Sequence, residues 1–131
     1  MMTTKRTLPE EMFKTLFSLR VLLRYDEKYK IHVAHCVETG SVVTAESPND
    51  ACDMMKELLE DEIAFALKHR NLKNLFSSPA SLEILVQWLN AAEAKTPETV
   101  YLNVDFRELE LREIEPKNSN LRNRLEIAAA A

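Results

Sequence analysis

Only one glycine, Gly40, occurs in the 131 residues. A Gly-rich phosphate loop cannot be built from it, which sets aside nucleotide binding by the Walker and dinucleotide-binding routes. Cysteine is almost as scarce: Cys36 and Cys52 form no metal-binding or redox spacing, and in a chain without a secretory signal they read as reduced thiols. Apolar runs are short, Ile63 to Leu67 being typical, so no transmembrane helix is expected. The first residues, MMTTKRTLPEEMF, carry charge with no apolar stretch behind them, and the expected location is therefore cytoplasmic. Positive charge is in deficit as well. With 17 basic and 21 acidic residues the net charge is -4, which argues against a general nucleic-acid binder and suits a basic protein partner.

What remains is enough to fold. Apolar residues make up 46% of the chain, and its length fits one domain with appendages and a real core. Residues 1–16 read as an N-terminal arm. Leu19, Val21, Leu23 and Tyr25 then share one strand face, with Arg20, Leu22 and Arg24 on the other. After the polar turn Asp26–Lys28, the alternation of Tyr29, Ile31, Val33, His35 and Val37 gives a second strand, antiparallel to the first. Gly40 supplies the next turn, and Val42 to Glu46 a short third strand.

Ser47-Pro48-Asn49-Asp50 is a helix start: the serine can accept a backbone N–H, proline suits the first helical position, and an acid follows three residues on. The stripe Ala51, Met54, Met55, Leu58, Leu59, Ile63 and Ala66 marks a long amphipathic helix, with Lys68 and Arg70 at its end. Residues 71–77 read as a connector and 79–94 as a second helix, its inner stripe being Leu82, Leu85, Val86 and Leu89. Ile84, Trp88 and Ala91 form a second apolar edge, so that helix needs two surfaces to pack against. Ile84 and Trp88 are accordingly the expected oligomer contact. Residues 100–106 alternate as a returning strand, and 107–131 form a C-terminal extension whose alanines read as a frayed tail.

The fold class is thus α+β: a three-stranded antiparallel sheet crossed by a long amphipathic helix, plus a second helix and a returning strand, with the domain spanning 17–106. Candidate chemistry is thin. His32 and Cys36 share a strand face but stand about 13 Å apart at about 3.3 Å per residue, and His35 points the other way, a poor geometry for one zinc. Glu62 falls on the inward stripe of the long helix with His69 two turns on. A buried carboxylate must be paired or protonated, and Arg20 or Arg24 is the expected counter-ion if water does not reach it. The first strand carries no carboxylate for two-metal nuclease chemistry, and no local Ser-His-acid signature occurs. No catalytic, cofactor-binding or metal-binding residue is therefore expected.

The stretch HVAHCVETGSVVTAESPNDACDMMKELLEDEIAFALKH resembles the HicB-like antitoxin family through Ala34 and Cys36, Thr39-Gly40, Thr44, Ser47 and Ala51, over residues 19–70. Two departures stand out. Val37-Glu38-Thr39-Gly40 occupies the place of a Pro-Gly turn, and Ala45-Glu46 that of Gly-Asp before the helix. The resemblance implies a partial ribonuclease H fold, a small basic RNA-cleaving toxin as partner, and assembly as a dimer or tetramer. Residues 107–131 are short and electroneutral, which argues against the DNA-binding module that many such antitoxins carry. The expected function is non-catalytic binding of a macromolecule, with an acidic helix face (Asp53, Glu57, Glu60, Asp61) meeting the toxin. The alternative is a stand-alone homo-oligomer that kept the fold alone.

Overall fold

A computed structural model describes residues 15–104 and 122–130. Nearly all of the expected N-terminal arm, and most of the expected extension, lie outside these residues. In chain order the elements are β1 (Thr15–Asp26), β2 (Ile31–Cys36), β3 (Val42–Ala45), α1 (Pro48–Lys68), α2 (Leu72–Leu75), α3 (Leu82–Ala94), β4 (Glu98–Leu102) and β5 (Arg122–Ala129). The strands form one sheet in the order β3-β2-β1-β5-β4. All neighbours are antiparallel except β1 and β5, which run parallel. The molecule is α+β, as its sequence indicates, but the sheet is mixed and five-stranded. The strand expected at 100–106 is an edge strand, β4, paired with β5; its expected last residues, Asp105 and Phe106, fall outside the described residues. The strand that returns beside β1 is formed by the chain's last residues.

α1 forms where the capping residues place it. Ser47 Oγ accepts from Asp50 N–H at 3.1 Å, satisfying one of the helix's free donors. Ala51, Met55, Leu59, Ile63 and Leu67 recur every fourth residue and are all buried, packed on Leu19, Val21, Ala34, Cys36, Leu125 and Ile127 of the sheet and on Leu102. Burial of each large side chain here contributes about 1.5–3 kcal/mol. Met54, expected on this stripe, is exposed instead. The helix stops at Arg70, which adopts φ 52 while Arg70 N–H and Asn71 N–H bond back to the carbonyls of Leu67 and Ala66.

α3 covers the opposite face of the sheet. Because side chains alternate along a strand, Leu22 points away from α1 and meets Val37, Ala128 and Trp88 in a second, smaller core. Trp88 Nε1 donates to the Glu126 carbonyl at 3.0 Å, so the indole buries its bulk and still satisfies its polar edge. That bond fixes the rotation of the helix. Ile84, Leu85, Ala91 and Ala92 face the sheet with Trp88, while Leu82, Val86 and Leu89 face outward, so of the expected inner stripe only Leu85 is turned inward.

Candidate functional site

Two concave surfaces flank α1. The first lies between the β3 edge and the helix's N-terminal half, and is lined by Glu46, Asp50, Asp53 and Glu57 together with Ile31 and Met54. Successive α1 acids at i, i+3 or i+4 share a helix face, which gathers Asp50, Asp53 and Glu57 here. β3 stands at the end of the strand order, so its outer backbone groups have no strand partner among the described residues.

The four acids expected to act together are divided. Asp53 and Glu57 belong to this concavity. Glu60 is occupied elsewhere: its Oε2 accepts from Lys56 Nζ at 2.9 Å and from Asn103 N–H at 2.7 Å, tying α1 to the end of β4. Asp61 opens onto the second surface. Ile84 and Trp88, expected at a contact between subunits, sit on the sheet-facing side of α3, with Trp88 only 9% exposed.

The second surface is a pocket of about 490 Å³ between the β2–β3 turn, the C-terminal half of α1, and α2 with its flanking residues. Gly40 makes it possible. Its φ of 78 suits glycine, and a Cβ there would overlap the Ser78 carbonyl oxygen, so the turn seats directly on the segment before α3. Ala80 N–H bonds to the Val37 carbonyl at 2.9 Å and closes the seat. In the pocket, Ser41 Oγ donates to Glu62 Oε1 at 2.7 Å. Having only one proton, Ser41 must receive its 2.8 Å bond from Thr39 Oγ1 as an acceptor. Glu62 is therefore held by a hydroxyl relay and not by Arg20 or Arg24.

Arg20 is engaged on the other face. Its Nε and its backbone N–H meet the two oxygens of Glu38 at 2.6 and 2.7 Å, with the guanidinium carbon 5.7 Å from the centre of the Trp88 ring. Arg24 Nε and His35 Nδ1 are buried without hydrogen-bond partners. Burial, then the Arg24 charge, pushes the His35 pKa below its ordinary value.

Ser41 Oγ donates to a carboxylate, and among the described residues no imidazole bonds to it. Burial raises the pKa of both thiols, Cys36 most plainly in the main core, which keeps them protonated and weakly nucleophilic. His32 leans on Tyr25 with ring centres 4.9 Å apart, on the opposite face from His35. Among the described residues, no three His, Cys, Asp or Glu side chains converge as metal ligands. The sequence drew attention to Glu62 without making it a site residue, and it gave Thr39, Ser41, Asn71 and Asn74 beside it no binding role. The available signal was the lone glycine flanked by two hydroxyl residues.

No helix among the described residues is long and apolar enough to cross a membrane. No family model, curated protein or solved structure matches this chain.

Proposed function

We propose that this chain is a non-catalytic, cytoplasmic, HicB-like protein that binds a small basic protein, as an antitoxin covers an RNA-cleaving toxin. The observation that carries the reading is the acidic concavity beside the β3 edge, where Asp53 and Glu57 stand with Glu46 and Asp50 along unpaired backbone groups. An extended basic segment would find both of its needs there. Main-chain hydrogen bonds come from the strand edge, and opposite charge comes from the helix. The β1–β2–β3 antiparallel order followed by a capped α1 supports the family resemblance stated above. Co-expression with the short basic protein encoded in the neighbouring reading frame tests it: the two should copurify at low salt. If no such frame exists, or the two proteins elute separately, the reading fails.

One observation favours a second reading, self-association without a toxin. Leu82, Val86 and Leu89 follow i, i+4, i+7 spacing on α3 and remain exposed, Leu82 at 73%. Light scattering of a variant with all three replaced by serine decides it. A drop from dimer or tetramer to monomer is expected if this stripe joins subunits, and an unchanged mass removes it from any interface.

A further inference from the structure

We propose that the pocket beneath the Thr39–Ser41 turn binds a primary alkylammonium group, the amine end of a polyamine or of a lysine side chain. The inference is independent of the acidic concavity on the other side of α1. Two carboxylates, Asp61 and Glu62, line the pocket, and among the described residues no Lys, Arg or His does. An anion would be repelled, while a cation with several N–H donors gains charge-assisted bonds.

The hydroxyl relay gives the site direction. Thr39 donates to Ser41 and Ser41 to Glu62, so the chain of donors ends on one oxygen of the carboxylate. The relay holds Glu62 in place by one oxygen, and among the described residues the other oxygen accepts no side-chain hydrogen bond. The rest of the wall divides by character: Phe65, Ala66 and Leu75 offer an apolar track for methylenes, and Asn71 and Asn74 offer amides for a second polar group. Phe65, whose ring centre lies 4.2 Å from that of His69, is still 66% exposed and adds aromatic surface at the rim. A stem of methylenes ending in an ammonium matches this order of apolar rim and charged floor. A bare metal ion leaves the apolar wall without a role, and a neutral polyol leaves the charge of two carboxylates uncompensated.

Titration of the full ¹⁵N-labelled chain with spermidine, with Nα-acetyl-lysine amide and with hexane-1,6-diol tests the proposal. Saturable shifts are expected at Ser41, Phe65, Asn71 and Asn74 with the amines and not with the diol. Glu62→Gln should weaken amine binding by about tenfold or more, the loss of one charged hydrogen bond. Asp61→Asn, which leaves the Ser41 bond untouched, should weaken it in the same direction, while Glu83→Gln on α3 should leave it unchanged. The tighter-binding amine identifies the source, a free polyamine or a side chain of another protein. Shifts from the diol equal to those from the amines, no saturable shift with either amine, or affinity unaltered in both pocket variants of intact fold would overturn the proposal. These readouts do not involve Asp53 or Glu57, so failure here is distinct from failure of the partner-binding reading.

Discussion

Gly40 shows how much one residue can fix. Its positive φ and the close approach of the Ser78 carbonyl leave no room for a side chain, and both the β2–β3 turn and the pocket depend on that approach. Gly40→Ala should cost about 2 kcal/mol or more through backbone strain and overlap, read as a lowered urea midpoint with little change in slope. A stability within error of the parent chain would mean the turn does not seat as described. His35 carries the pH dependence. Its folded pKa is lowered by burial and Arg24, so the unfolded chain takes up the proton more readily. Stability therefore falls as pH drops below the unfolded histidine value of about 6.5. Unfolding midpoints at pH 7.5 and 5.0 should differ less in His35→Gln than in the parent. An equal difference in both would place the acid sensitivity on other groups.

At the level of elements, legibility followed the strength of local signals. α1 was legible almost to the residue, because a serine cap, a proline and a four-residue apolar repeat all agree. β1 to β3 were legible from alternation. β5 was not, although Asn123, Leu125 and Ile127 alternate with Arg124 and Glu126 in the right period. Its alanines are poor strand formers, and only the tertiary setting recruits them: Ala128 is small enough to lie between the sheet and α3. The rotation of α3 was hidden for a related reason. Periodicity placed both Trp88 and Leu82 on apolar edges, and a carbonyl distant in sequence, that of Glu126, chose between them. The pocket was unreadable for the same cause, since its walls come from three segments that no local pattern links. β5 yields a direct prediction. Deleting residues 122–131 removes the strand that joins β1 to β4, with fully buried Leu125 and nearly buried Ile127. The shortened chain should lose its cooperative thermal transition by circular dichroism. A sharp transition retained without these residues would show that the sheet closes by other means.

The whole molecule is a sheet filled on both faces, with its two candidate binding surfaces on either side of α1 and one apolar stripe turned outward on α3. If a basic protein docks on the β3 side, reversing the charge there should abolish the docking. Asp53 and Glu57 are exposed and make no side-chain hydrogen bond among the described residues, so Asp53→Lys with Glu57→Lys should fold normally. In co-purification with any short basic protein found in the neighbouring reading frame, the parent chain should retain that protein and the doubly reversed chain should release it. Equal retention by both chains would contradict the account.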